Sequence, residues 1–562
     1  MTRTRLLALV ALLPLALAVQ DLRVHTKLGG IVGHHKHSEH GRRYVAFEGI
    51  PYAQPPVGEL RFQPPHPIKP WTGELVATKT GSGCVQWSHV APIDNTERVI
   101  GAEDCLYLNV YVPETGKSTP LPVIVWIHGG AFQWDMEYYN GQFAKPGYLM
   151  DRDVIVVTLS YRLGPLGFLS TGDEVVPGNM GLKDQNMALR WVKQHIHAFN
   201  GNPEEITLTG LSAGGVSVHY HYLSPLSKGL FTRGISFSGS ALDSWAQTEA
   251  APQKARKLGA LLGCPTGTNR ELVDCLRQRP SRAIIQADGD FMPWGYNPYT
   301  PFGPVVEKVG NAPFVNRSPI EIITSGDAHD VPWITGVVSE EGLYPAADFV
   351  ADAVQLRELD HNFELIAPHL LDFNYTIPQS KHAEVSRLIR KHYLGDKTID
   401  KTTTAPVIQM VGDRIFVVDG VKAAKLMAKN NKSPVWYYYF TYRGANSASD
   451  AMSHTHQNFG VAHGDDVYFV LGSPFVDPTT TASDRAMQRY LLDFWASYAT
   501  TGIPHVGVEW PPLNPTDKDL KYLHIKAPGV AVVEQDSDFG HYNFWNSINF
   551  AENKIGNKKV EL

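Results

Sequence analysis

Short apolar runs rich in β-branched residues alternate with longer stretches of helical periodicity along most of this chain. Near-continuous apolar runs are typical of strands that are covered on both faces of a sheet. The runs with this character are 122–127, 153–159, 206–209, 234–237, 332–337 and 434–442. They predict a buried sheet, and residues 24–64 predict a small hairpin followed by a Pro-rich segment.

Between these runs, two segments carry apolar residues at the spacing of an amphipathic helix. Residues 182–199 form the first, and residues 483–498 form the second, with Ser483 as the predicted cap and Gly502 near its end. Strands that alternate with helices predict an α/β fold, in which a mostly parallel sheet is flanked on both sides by helices.

The first residues have the pattern of a secretory signal peptide. Arg3 and Arg5 precede the apolar run 6–17, which ends in Ala-Leu-Ala at 16–18. The run is shorter than the roughly 20 apolar residues that a membrane span needs. A buried N-terminal helix is the less favoured alternative. We expect removal of residues 1–18, and a secreted single domain over residues 19–562 without a transmembrane anchor.

Composition excludes several classes of protein. Of the 562 residues, 43% are hydrophobic and 19% are charged, which is incompatible with a disordered chain or a coiled coil. The formal net charge of −6 is spread without long blocks, whereas a nucleic-acid-binding protein usually carries a basic excess. We therefore expect no nucleic-acid partner.

Cysteine and asparagine positions agree with an oxidising compartment. The even number of cysteines is compatible with two disulfides in any of three connectivities, and pairing of sequence neighbours would close two short loops. Asn316, Asn374 and Asn431 begin possible N-glycosylation triplets, of which Asn374 is favoured because a proline follows each of the others. The final residues 559–562, Lys-Val-Glu-Leu, faintly resemble a lumenal retrieval signal, so residence in the endoplasmic reticulum is the alternative to secretion.

The strongest chemical signal is the segment Gly-Leu-Ser-Ala-Gly at 210–214. It follows an apolar run and precedes a helix-compatible stretch at 216–223. A GxSxG sequence between a strand and a helix is typical of the nucleophile elbow, which exposes the hydroxyl of the serine, here Ser212. Upstream, the small-residue loop 128–132 also follows an apolar run, and such a loop can supply backbone N–H groups to an oxyanion.

An activated serine also needs a base and a carboxylate that orients the base. The acid candidates after Ser212 include Glu340 and Glu341, which directly follow the run 332–337. Among the histidines near the C-terminal end, His463 has the tightest setting, between Ala462 and Gly464.

Several motifs in register resemble the type-B carboxylesterases, the cholinesterase-like branch of the α/β-hydrolases. They are the segments 47–53, 102–110, 128–132 and 210–215, the segment from Gly336 to Gly342, and His463-Gly464. The resemblance covers nearly the whole mature chain, and it is closest to secreted insect esterases of the juvenile-hormone, pheromone-degrading or insecticide-binding type.

The resemblance implies ester hydrolysis by a Ser-His-Glu triad. Ser212 would be the nucleophile, His463 the general base and then acid, and Glu341 the orienting carboxylate, because the family's acid stands directly before the glycine. The N–H groups of Gly130, Ala131 and Ala213 would form the oxyanion hole. The family pattern further implies the disulfides Cys84–Cys105 and Cys264–Cys275. The substrate would be a small ester, with no cofactor and no metal.

Departures from the cholinesterase pattern indicate the substrate class. Leu211 stands where cholinesterases carry a glutamate, and residues 94–96 occupy the place of their cation-binding tryptophan. A quaternary ammonium group needs aromatic faces and negative charge, so we expect a preference for uncharged, apolar esters. The expected pocket walls are Leu211, Phe132, Phe302 and Tyr344.

Two alternatives to a turnover enzyme stay open at this point. Cholinesterase-like chains also act as non-catalytic adhesion proteins, or as sequestering esterases that deacylate slowly. The oligomeric state is not predicted. His34, His35, His37 and His40 predict a solvated hairpin tip rather than a metal site.

Overall fold

A computed structural model describes residues 22–87, 98–135, 146–473, 475–555 and 558–559. The predicted signal peptide, residues 94–96 and residues 560–562 lie outside these ranges. Within them, no helix is both long enough and apolar enough to cross a membrane.

The centre of the molecule is an 11-stranded sheet, whose strands we number β1–β11 in chain order. They are β1 His34–His37, β2 Arg43–Pro51, β3 Tyr107–Pro113, β4 Leu121–Ile127, β5 Ile155–Leu159, β6 Gly201–Leu211, β7 Arg233–Phe237, β8 Trp333–Val338, β9 Val435–Phe440, β10 Leu520–Ala527 and β11 Val530–Asp536. Their spatial order is β11-β10-β9-β8-β7-β6-β4-β5-β3-β2-β1. Neighbours from β10 to β5 pair in parallel, and the pairs at both edges are antiparallel.

Helices fill the connections between these strands. In chain order they are α1 Gly164–Phe168, α2 Met180–His195, α3 Ala213–Leu223, α4 Ala251–Leu261, α5 Asn269–Gln278, α6 Ser281–Gln286, α7 Pro319–Thr324, α8 Leu343–Val350, α9 Ala353–His361, α10 Phe363–Leu370, α11 His382–Leu394, α12 Thr404–Gly412, α13 Val418–Asn430, α14 Ala448–Ser453, α15 Asp465–Leu471, α16 Ala482–Thr501 and α17 Tyr542–Ser547. Every residue of β4 and β8 is buried, as expected for central strands covered by helices. The predicted α/β-hydrolase architecture is thus confirmed.

Smaller sheets lie outside the large one. Arg23–Thr26, Gly29–Val32 and Glu74–Val76 form a three-stranded sheet, which contains the predicted hairpin. Gln86–Trp87 pairs with Val99–Ile100, and Lys554–Ile555 pairs with Lys558–Lys559.

One local prediction is wrong, and another holds only in part. Helix α16 is capped by Thr481, not by Ser483, because the Thr481 hydroxyl accepts from the Asp484 N–H and the Thr481 N–H donates to the Asp484 carboxylate. Of the four histidines predicted at a hairpin tip, His40 lies exposed in the turn between β1 and β2, whereas His34, His35 and His37 belong to the edge strand β1. His34 and His35 lie 3.5 Å and 3.4 Å from the carboxylates of Glu48 and Glu114. The described residues contain no group of three or more His, Cys, Asp or Glu side chains arranged for a metal ion.

Candidate active site

The candidate site lies at the carboxyl ends of three adjacent parallel strands, β6, β7 and β8. Ser212 directly follows β6, Ser238 directly follows β7, and Glu341 comes three residues after β8. The carboxyl ends of parallel strands meet at one edge of a sheet, where α/β proteins commonly place their sites. The fold therefore brings these distant parts of the sequence together.

Ser212 occupies a strained turn between β6 and α3. Its backbone has φ +59° and ψ −124°, and its N–H donates to the carbonyl of Phe237 at 2.8 Å. Close backbone packing around it requires glycine: a Cβ on Gly210 would lie 2.5 Å from the Gly214 carbonyl oxygen, and one on Gly214 would lie 2.1 Å from that of Ile127. This arrangement is that of a nucleophile elbow.

His463 and Glu341 form a buried pair. Nδ1 of His463 lies 2.6 Å from Oε2 of Glu341, whose Oε1 accepts from the Ser238 hydroxyl at 2.5 Å and from the Val338 N–H at 2.8 Å. Because the carboxylate accepts from Nδ1–H, the neutral ring keeps its lone pair on Nε2. Nε2 is buried and has no hydrogen-bond partner among the described residues, so it can take a proton.

The neighbouring Glu340 makes different contacts. Its Oε2 accepts from the Val461 N–H at 2.7 Å, and its own N–H donates to the Val461 carbonyl at 3.1 Å. Glu340 therefore fixes the chain just before His463, and only Glu341 of this doublet contacts the imidazole.

Two aromatic rings stack on the imidazole, and a side chain next to Ser212 lies close to the residue that follows His463. The ring centroid of His463 lies 4.4 Å from that of Phe416 and 5.5 Å from that of Tyr344, both in stacked orientation. Phe416 belongs to a π-helical segment, Asp413–Val417, that joins α12 to α13. Cδ2 of Leu211 lies 3.0 Å from the place that a Cβ on Gly464 would take, so the serine and histidine turns are adjacent.

The loop 128–132 has an unusual backbone. Gly130, Ala131 and Phe132 have φ values of +114°, +54° and +62°. Within the part of the chain that the structure describes, the N–H groups of Gly130, Ala131 and Ala213 donate no hydrogen bond to protein. Unpaired N–H groups at a loop and at a helix N-terminus can bind an anionic oxygen.

A buried carboxyl group lies close to the pair. Burial raises the pKa of Asp466 to about 7; the hydrogen bond from Tyr438 lowers it and the charge of Glu341 raises it. The Tyr438 hydroxyl donates to Oδ2 of Asp466 at 2.7 Å.

Comparison with known proteins identifies the chain. Residues 20–545 match the model of the carboxylesterase family. The chain belongs to the carboxylesterase family. It is 53% identical over 543 residues to a carboxylic ester hydrolase of Bombus ignitus, covering 96% of each chain, and 52% identical over 536 residues to venom carboxylesterase-6 of Apis mellifera, covering 95% of each.

The juvenile hormone esterases are more distant relatives. That of Tribolium castaneum is 36% identical, with 94% of each chain covered. The crystal structure of juvenile hormone esterase from Manduca sexta, with OTFP covalently attached, superposes with a TM-score of 0.80 at 28% identity, over 94% of this chain and 99% of that one. These matches confirm the resemblance, and the protein is a carboxylic ester hydrolase.

The expected pocket residues of this carboxylesterase are all buried. Leu211 and Tyr344 lie beside the His463 turn. Phe132 packs on Phe168, and Phe302 packs on Phe291, with centroid distances of 4.9 Å and 5.0 Å. Phe132 belongs to the loop 128–132, and the Phe302 carbonyl accepts from the side chain of Gln133, which directly follows that loop.

The cysteines form the disulfides Cys84–Cys105 and Cys264–Cys275, the pairing that the family resemblance implied. The three possible glycosylation sites differ in accessibility. Asn316 is exposed, whereas Asn374, which the sequence favoured, and Asn431 are half-buried. The Asn431 amide also donates to the His329 carbonyl.

Sequence reasoning missed two residues that contact the histidine–glutamate pair, Ser238 and Phe416. Ser238 had a usable signal, because it directly follows a predicted buried strand in the same sheet as Ser212. Phe416 had none, since its stacking on His463 depends on the π-helical segment.

Proposed function

We propose that this carboxylesterase hydrolyses uncharged, apolar carboxylic esters through an acyl-enzyme on Ser212. The observation that carries the proposal is the buried His463–Glu341 pair, whose Nε2 has no protein partner among the described residues and whose turn adjoins that of Ser212.

In the first step, Nε2 of His463 takes the proton of the Ser212 hydroxyl while Oγ attacks the ester carbonyl carbon. The N–H groups of Gly130, Ala131 and Ala213 hold the oxyanion, and the Glu341 carboxylate stabilises the imidazolium. The tetrahedral intermediate then collapses: the C–O bond to the alcohol breaks, and the alcohol leaves with the proton from Nε2.

In the second step, His463 takes a proton from water as the water attacks the acyl carbon. Collapse of this intermediate breaks the bond to Oγ, returns the proton to Ser212 and releases the carboxylic acid. Besides water, only the chain and the substrate take part in the proposed reaction.

The apolar surroundings support the proposed substrate class. Leu211 is 1% exposed and lies next to the nucleophile, where it offers a cation no charge. Phe132, Phe302 and Tyr344 are also buried and would present aromatic surface to an acyl or alcohol chain. We also propose that the protein acts after secretion, which the apolar N-terminal run and the two disulfides support.

Covalent labelling tests the proposal. An organophosphate should modify Ser212 in the unaltered protein, and mass spectrometry of the digest should find the adduct in the peptide that contains it. Ser212→Ala should remove ester turnover by several orders of magnitude without unfolding the chain. Ser217→Ala, on the same helix, is the matched control and should keep both labelling and turnover; an adduct on any other residue would refute the assignment.

A further inference from the structure

The carboxamide of Gln133 connects two loops that lie on one side of the proposed site. Gln133 is 1% exposed, and its Nε2 donates to the carbonyl of Ala131 at 3.0 Å and to that of Phe302 at 2.5 Å. The two-step reaction proposed above makes no direct use of this side chain.

The loop that Gln133 contacts has a strained backbone. Ala131 and Phe132 both have positive φ, a backbone conformation that residues other than glycine rarely adopt. Such a conformation persists only where surrounding contacts impose it. On the far side of the loop, the Phe132 carbonyl accepts from the Gly164 N–H at 2.7 Å. The Ala131 carbonyl is held by the Gln133 amide.

Successive carbonyl groups of the loop are all turned toward donors. The Gly129 carbonyl faces Nδ1 of His128 at 2.8 Å, and the Gly130 carbonyl accepts from the N–H groups of Gln133 and Trp134 at 2.9 Å and 3.0 Å. In a trans peptide the carbonyl and the following N–H point in opposite directions. Anchoring the carbonyls of Gly129 and Gly130 therefore aims the N–H groups of Gly130 and Ala131 away from the protein donors.

We propose that Gln133 is a positioning residue for the oxyanion hole. Its bond to the Ala131 carbonyl keeps Ala131 in the left-handed conformation. Without that bond, the strained φ of Ala131 can relax by rotation about its N–Cα bond. The Gly130–Ala131 peptide, which carries the Ala131 N–H, then shifts against its remaining anchors, the backbone N–H groups of Gln133 and Trp134. Gln133 acts through this backbone and does not contact the substrate.

The second bond of Gln133 couples the oxyanion loop to the segment that carries Phe302. That segment is itself fixed, because the Gly303 N–H donates to the Thr248 hydroxyl and the Thr248 N–H donates to the Pro304 carbonyl, both at 2.7 Å. The donors for the oxyanion and the Phe302 wall of the pocket therefore form one unit that moves together.

The test replaces Gln133 with methionine, which keeps the length of the side chain and removes both donated bonds. Loss of one oxyanion donor typically lowers kcat about 10²- to 10³-fold, so misorientation of one should lower kcat roughly ten- to a hundredfold, with KM changed less than about threefold. A trifluoromethyl ketone, whose adduct with a serine carries an oxyanion, should bind more weakly by the same factor. Gln488→Met is the matched control, because it replaces another buried carboxamide, on α16, and should leave kcat unchanged.

Gln133→Glu provides a second variant in case the methionine variant does not fold. At pH 6 the buried carboxyl group that this change introduces, when protonated, would still donate one bond, so this variant should keep a larger fraction of kcat than Gln133→Met. Unchanged kcat and ketone affinity in a folded Gln133→Met protein, or equal losses in kcat and in the binding of an uncharged alcohol product, would overturn the inference.

The inference rests on the proposed function, and the two can fail separately. If the ketone forms no adduct with Ser212 in the unaltered protein, the proposed function fails. If the adduct forms equally well in Gln133→Met, only the role of Gln133 fails.

Discussion

Replacement of Glu341 by glutamine should be far more damaging to catalysis than the same change at Glu340. In the proposed transition state, His463 becomes an imidazolium whose Nδ1 lies 2.6 Å from a Glu341 oxygen. At that distance and an effective dielectric constant of 20, the attraction is about 6 kcal/mol. The neutral amide loses most of this attraction, which corresponds to roughly a 10⁴-fold lower kcat.

The same substitution at Glu340 leaves the local structure largely intact. The oxygen that accepts from the Val461 N–H at 2.7 Å can be supplied by an amide as well as by a carboxylate. In the described structure, no hydrogen bond joins Glu340 to the imidazole of His463. Glu340→Gln should therefore lower kcat by less than about tenfold, because the bond to the backbone persists.

The assay is hydrolysis of p-nitrophenyl butyrate, with active-site titration to correct for the fraction of competent protein and thermal unfolding to verify the fold. If the two variants lose the same factor, or if Glu340→Gln is the weaker enzyme, the assignment of the orienting carboxylate has slipped by one residue. A Glu341→Gln protein within tenfold of the unaltered one would refute the electrostatic reasoning itself.

Two further outcomes are expected. Butyrylthiocholine should have a kcat/KM roughly a hundredfold below that of a neutral thiobutyrate of matched length. A carboxylate at position 211 would attract a cation at ~5 Å by about 3 kcal/mol, and Leu211 offers no such attraction. Equal values of kcat/KM would show that another residue binds the cation. Burial raises the pKa of Asp288 to about 8 despite the nearby charge of Lys254. The folded state therefore holds a proton that the unfolded chain releases near pH 4. As a result, the free energy of unfolding should fall with rising pH by at most about 1.4 kcal/mol per pH unit between about pH 4 and 8. Asp288→Asn should lose this slope in urea unfolding measured at pH 5 and pH 8, and a difference from the unaltered protein that stays constant with pH would contradict the prediction.

The sequence predicted those parts of the candidate site that depend on neighbouring residues in the chain. Ser212 could be placed because glycines on both sides and a strand before it define the elbow locally. The choice of Glu341 over Glu340 needed the family pattern, because both residues follow the same strand. Which of the two faces His463 depends on the pairing of Glu340 with residues 461–462, and no local signal encodes that pairing.

Side-chain contacts across the fold were beyond the sequence. Gln133 and Phe416 have no local pattern, since their partners at Phe302 and His463 are distant in the chain. The cap of α16, in contrast, was readable: Thr481 and Asp484 have the spacing of a capping box, whereas the residue three after Ser483 is Ala486.

Glu340 binds the Val461 backbone and Glu341 binds His463, and this difference between adjacent residues limits which changes the gene can tolerate. Deletion of the Ser339 codon, or insertion of one codon before Glu340, would preserve the reading frame, yet it would shift both carboxylates by one position relative to β8. Glu341 would then take the place beside the Val461 backbone, or Glu340 would take the place beside His463. Gly342 adds a second constraint, because a Cβ there would lie 1.9 Å from the Ile408 carbonyl oxygen, so another residue cannot enter its place. Length variation among descendants of this gene should therefore accumulate in surface connections and be purged from this stretch.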